Sequence, residues 1–339
     1  MAQQERKAII AKIEETRKSR VICCLTSDRQ NASGFVAKDF IPIFFNHLRS
    51  FGSGPLDRID VFLFTAGGDT LAAFGLSRLV REFANSVGVL IPEKCHSAGT
   101  LFALGADDIV MTKAATLSPI DPSVNGPLNP ILDLGMGQRQ PIAVSVESVA
   151  GFKALVRDEW KLDDEAVGAA FKILAEKVHP LLLGDVFRRR QQIERLAETL
   201  LHNHRKGDEQ VASIIDTLTK KLGSHDYLIA RREARDLMGK QIAADNLELE
   251  ALIWSLYEDF AAEMKLGQIF DPASIINAAR LNQQQPPIKV VNKVVVIESR
   301  DRSDAFEHEI ALTDAQMMTP AGPTKLIQQE AIRVGWGIA

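Results

Sequence analysis

Ile59-Asp60-Val61-Phe62-Leu63-Phe64-Thr65-Ala66-Gly67-Gly68-Asp69-Thr70 and, further along, Cys95-His96-Ser97-Ala98-Gly99-Thr100 are the two stretches from which the fold is read. The first opens with a run that is apolar nearly throughout instead of alternating, as in a strand buried on both faces. It then breaks at paired glycines where a helical pattern begins over Leu71–Ala84. The second follows another short apolar run, Gly88–Ile91, and again leads into a helix, over Ser97–Gly105. Strand, turn and helix therefore recur, with Val21–Leu25 as an earlier strand, Phe40–Leu48 as a helix and Ile109–Met111 as a fourth strand. That rhythm predicts βαβ units on a mostly parallel sheet. Right-handed crossovers place the loops after each strand on one edge, where ligands and catalytic groups collect.

Outward from this core the order loosens. Residues 5–18 read as a charged helix, and 119–141 as a long Pro/Gly-rich connection. Helices are expected near 147–160, 164–178, 185–204, 208–222 and 245–265, the last with Leu249, Leu252, Ile253, Leu256 and Phe260 in an apolar stripe. After the polar linker 282–287, two strands, Ile288–Glu298 and Glu307–Leu312, predict an appended C-terminal hairpin. The expected division is residues 1–285 as one α/β domain and 286–339 as the hairpin extension.

Composition excludes several classes. Lys and Arg number 40 against 44 Asp and Glu, a net charge of −4, so no nucleic-acid or anionic-membrane partner is indicated. Cys23, Cys24 and Cys95 have neither zinc nor redox spacing and read as small buried residues of a reducing compartment. The N-terminus lacks an apolar stretch of signal-peptide length and no window reaches bilayer length, so the expectation is cytoplasmic. Without a P-loop, dinucleotide fingerprint or metal motif, no cofactor and no metal are expected.

Taken alone, each of the two stretches has a plain reading: Gly67-Gly68 as an ordinary turn, Ser97 as a helix N-cap. Taken together they place a hydroxyl and exposed amides on one sheet edge, with Gly68 and Ser97 separated by 29 positions (97 − 68) and one helix and one strand. This arrangement resembles the Clp protease and signal peptide peptidase A superfamily of the crotonase fold. It is most similar to the serine dehydrogenase proteinases, on the segments TAGGDT, HSAGTLFALGADDIVM, LSPIDPSV, KVHPLLLG and SHDYLIARREARDL over roughly residues 20 to 265. The resemblance implies a Clp/crotonase-like α/β fold and an ATP-independent serine peptidase acting on peptide or protein through an acyl-enzyme on Ser97. Gly67 or Gly68 with the Ala98 amide would form the oxyanion hole, and the chain would be a homo-oligomer.

The proton acceptor departs from the Clp pattern, whose histidine would fall near Asp121 and whose aspartate near Leu222. By analogy with the Ser-Lys dyad of signal peptide peptidase A, Lys153 becomes the candidate base. His96, His179 and His225 are further candidates, with Asp121 as an orienting group. Two other readings stay open: a crotonase-type acyl-thioester enzyme, and a non-catalytic scaffold on the same fold.

Overall fold

Four strands run parallel in the order β1 (Arg20–Thr26), β2 (Leu56–Phe64), β3 (Ala84–Ile91), β4 (Asp108–Met111), with Cys23 beside Phe62, Phe62 beside Leu90 and Leu90 beside Val110. The helices α1 (Gln3–Arg17), α2 (Phe40–Ser50), α3 (Thr70–Glu82) and α4 (Ala98–Leu104) precede or connect them, so the predicted βαβ alternation is present. The structure, a computed structural model, describes residues 3–338 except 53, 121–122, 125–126, 136–137, 143, 206 and 320–321. It divides into one unit made of residues 1–116 and 230–339 and a second made of 117–229.

The first unit holds the sheet. Every residue of β1 after Arg20 is buried, which is why that strand reads as an unbroken apolar run. Ile10 and Ile13 of α1 join Val21, Cys23 and Leu25 of β1 and Phe62 and Phe64 of β2 in one buried cluster. Leu249, Ile253, Leu256 and Phe260 of the expected C-terminal helical stripe complete it. Full burial of each such side chain contributes roughly 1.5–3 kcal/mol.

The C-terminal segment differs from the expected appended hairpin. Ile288–Glu298 (β5), Ser303–Thr319 (β6) and Gly322–Ile338 (β7) form an antiparallel meander that continues the central sheet, because β5 pairs with β1 from Cys23–Glu298 to Thr26–Val295. The sheet is therefore mixed, in the order β7-β6-β5-β1-β2-β3-β4. Val294–Ile297 are all buried, so β5 is an interior strand.

Two buried ionic clusters fix the unit away from the loops after β2 and β3. Arg6 of α1 grips Glu298 with two hydrogen bonds of 2.8 and 2.9 Å, reaches Asp259 at 2.8 Å and lies over the Phe260 ring. At the N-terminal half of β2, Asp60 would be raised by burial, but Arg17 and Arg58 hold it below the usual carboxylate range. Gly88 faces this pair so closely that a Cβ there would stand 2.0 Å from the Asp60 carboxylate.

In the second unit the helices are α5 (Val146–Ala154), α6 (Asp164–Lys177), α7 (Pro180–Leu201) and α8 (Val211–Asp216). α7 begins earlier than the periodicity predicts because Pro180 takes its first position, where no amide is needed. Part of the Pro/Gly-rich connection is ordered as a pair of short strands, Ile131–Gly135 with Gln138–Pro141.

One buried histidine gives the first unit a pH dependence. His47 on α2 is enclosed; its Nδ1 meets the Ser299 hydroxyl at 2.9 Å and its Nε2 the Asp304 carboxylate at 3.1 Å. Burial lowers its pKa from 6.5 to about 4, outweighing the attraction of Asp304. The unfolded chain then binds the proton first, so stability is fully present above about pH 6.5 and falls as pH drops toward 4. Urea denaturation should show a loss of roughly 2 kcal/mol between about pH 6.5 and 5 that is absent in His47→Gln.

Candidate active site

The two turns singled out in the sequence meet. Thr65 at the end of β2 and Cys95, in the short strand Lys94–Cys95, form a parallel bridge. The Thr65 amide donates to the Lys94 carbonyl at 3.0 Å, and the His96 amide to the Thr65 carbonyl at 3.0 Å. The buried Thr65 hydroxyl meets the Thr26 hydroxyl at 2.9 Å and accepts the Gly67 amide at 3.0 Å. One side chain thus ties the end of β1 to the glycine turn.

Each glycine has a separate steric reason. Gly67 has φ +117°, and a Cβ there would lie 3.0 Å from the Ser97 Cβ. Gly68 has φ +144° and is straddled by Val36, whose amide donates to the Gly67 carbonyl and whose carbonyl accepts the Asp69 amide, both at 2.8 Å. A Cβ on Gly68 would collide with that Val36 backbone at 2.3 Å. Asp69 then caps α3, accepting from Leu71 and Ala72 at 2.8 and 3.1 Å.

Ser97 stands at the N-cap position of α4 yet makes no side-chain cap hydrogen bond, so the plain capping reading does not describe it. Its φ of +50° and ψ of −109° are unusual for any residue bearing a Cβ, a conformation costing of order 1–3 kcal/mol. It is partly exposed, between the partly exposed His96 and the buried Ala98. Close packing below holds the turn: Gly99 leaves room for the Thr65 methyl, which a Cβ would approach at 2.6 Å. The strand-to-helix turn therefore stores strain under the hydroxyl instead of relaxing it.

His96, Ser97, Ala98, Gly67 and Gly68 are brought together within the first unit. The His96 imidazole is engaged through Nε2 with the Thr116 hydroxyl at 2.9 Å. Lys153, His179 and His225 belong to the second unit. Lys153 is exposed on α5, at the wall of a cavity of about 670 Å³ lined by Val149, Val156, Phe171 and Val186. His179 caps α7, its Nδ1 accepting the Leu181 amide at 3.2 Å. His225 is exposed in the turn after α8, and Asp121 lies outside the described residues. A larger cleft of about 830 Å³ in that unit is lined by charged groups; one of them, Lys220, pairs with Glu194 and Asp216, as on a solvated surface.

Thr65, Thr26 and Val36 are the contributors that sequence reasoning missed; only the threonine opening TAGGDT offered a signal. The three cysteines are free and buried, and burial pushes the Cys24 thiol up to about 12 and the Cys95 thiol well up, so neither supplies a thiolate. Among the described residues no group of His, Cys, Asp and Glu side chains is gathered as for a metal ion, and no helix is long and apolar enough to cross a membrane.

Residues 1–147 match the family of ClpP-like SDH-type serine proteinases. The matched stretch of this proteinase family contains the glycine turn, Ser97 and Ala98. Two uncharacterized proteins of Methanocaldococcus jannaschii are each 29% identical to the chain. One aligns over 56% of this chain and 56% of its own length, the other over 67% and 68%. The chain thus spans little more than half of the first relative. Among solved structures, a mutant of the membrane-bound stomatin-specific protease 1510-N is 15% identical, covering 64% of this chain and 78% of its own, with a TM-score of 0.36. A ClpP1 mutant of Listeria monocytogenes is 13% identical, covering 70% and 99%, also at 0.36. Those scores lie below a shared overall shape, and the family match rests on the sequence.

Two substitutions test the construction of the site. Ser97→Gly removes both the hydroxyl and the strained Cβ, so it should be about 1 kcal/mol more stable than Ser97→Ala in urea denaturation. Thr65→Val orphans the Thr26 hydroxyl and the Gly67 amide in the interior, and should lower stability by about 1–3 kcal/mol in the same measurement.

Proposed function

We propose that the chain is a serine peptidase that cleaves peptide bonds through an acyl-enzyme on Ser97. The observation that supports this reading is the close approach of the strained Ser97 turn to Gly67, where a Cβ would lie 3.0 Å from the Ser97 Cβ. The Gly67 amide is committed to Thr65, whereas the amides of Gly68 and Ala98 donate to no group among the described residues. Gly68 and Ala98 are therefore the proposed oxyanion donors, stabilising the charge that develops when Ser97 Oγ attacks the carbonyl carbon. Collapse of that intermediate breaks the C–N bond and releases the amine with the proton taken from Ser97. Water then hydrolyses the acyl ester and restores the hydroxyl.

For the proton acceptor we propose Lys153, which forms no ion pair among the described residues, in contrast to Lys94, committed to Asp28 and Glu93. Among the histidines, His96 is held by Thr116 and His179 is spent on the α7 cap. Free, buried thiols support a reducing, cytoplasmic setting, and action without ATP is part of the same proposal.

A fluorophosphonate probe should label the wild-type chain and leave Ser97→Ala unlabelled. Lys153→Met should slow labelling by about 10²–10⁴-fold, the span a general base supplies. Wild-type protein that is folded but unlabelled, while its melting temperature rises with coenzyme A thioesters, would favour the acyl-thioester reading. The scaffold reading predicts neither response.

A further inference from the structure

The outer strand of the sheet offers an interaction surface whose chemistry names its partner. β7 pairs with β6 on one side and, among the described residues, forms no ladder on the other, so a row of amide and carbonyl groups from Leu326 to Ile338 faces outward. Ile332, Val334 and Ile338 along it are 45%, 55% and 83% exposed.

Glu330 and Arg333 are the only charged residues in that stretch, and neither forms an ion pair among the described residues. Arg333 donates to the Trp336 carbonyl at 3.4 Å. In a regular strand, positions three apart point to opposite faces. Here Ala311 faces Glu330 and Glu309 faces Arg333, with an irregularity between Glu309 and Ile310 that leaves Ile332 as the extra residue. Residues directly opposite share a face and positions 309 and 311 share one, so the bulge puts Glu330 and Arg333 on the same face.

We infer that β7 pairs antiparallel with β7 of a second copy of this chain, about a two-fold axis between Ala331 and Ile332. That register sets Glu330 of each copy opposite Arg333 of the other, and the symmetry makes the match twice. A bulged edge resists pairing with arbitrary strands, whereas a second copy carries the same irregularity at the same level. Ile332 and Val334 would then be covered near the axis, together with the outward row of backbone groups.

Sedimentation of the full chain over a range of concentrations tests this. The wild type should form dimers, and Glu330→Arg or Arg333→Glu alone should weaken association about tenfold or more, since each sets two like-charged pairs face to face. The double variant, and an equimolar mixture of the two single variants, should both regain wild-type association, because every cross-strand pair is again of opposite sign. Circular dichroism melts identify any variant that fails to fold, and the mixture of two folded single variants keeps the test decisive. A monomeric wild type, single variants that associate like the wild type, or weakening that neither the double variant nor the mixture reverses, overturns the inference.

Discussion

The parallel bridge between Thr65 and Cys95 is the contact on which the candidate site depends. It joins the turn after β2 to the turn after β3 through two hydrogen bonds of 3.0 Å, and the buried Thr65 hydroxyl adds the end of β1 and the Gly67 amide. Without that tie the glycine turn and Ser97 would be two separate loops, each free to relax. With it, the Ser97 Cβ and the Gly67 backbone are forced to near-contact.

Close approach also explains why this edge of the sheet is made of small residues. Gly67, Gly68 and Gly99 each stand where a Cβ would meet an atom within 3.0 Å, and in the case of Gly68 that atom is backbone, which cannot swing aside. Ser97 is the exception, a residue with a side chain kept at positive φ. Such strain persists only where surrounding contacts over-determine it, and it accumulates where a side chain must be presented and not buried. The compensation sits elsewhere in the unit, in the continuous apolar packing of α1, β1 and β2 and in the Arg6 and Asp60 ionic clusters. Strain is thus concentrated at the loop edge and cohesion in the interior.

Much of this was legible locally. The runs at Val21–Leu25 and Ile59–Phe64 are apolar on both faces, and that pattern exists only in strands covered on both sides, so the parallel half of the sheet followed directly. The Gly-Gly turn and the serine turn were readable because their residue types are restricted by backbone geometry. The C-terminal strands were legible as strands but not as part of the central sheet, since the pairing of Cys23 with Glu298 spans nearly the whole chain and leaves no mark in local periodicity. The same holds for Val36, an unremarkable residue in the sequence whose backbone makes Gly68 obligatory.

By itself, then, the sequence determined the strand and helix rhythm and the edge on which the turns gather, because each rests on burial patterns or on backbone freedom within a few residues, while the nucleophile candidate came from the family resemblance of the two turns. Tertiary structure alone decided that β5 lies beside β1, that Thr65 rather than a glycine binds the two turns, and that Ser97 does not cap its helix. Those outcomes depend on contacts between residues far apart in the chain, where closing the loop is repaid only once the whole sheet has formed.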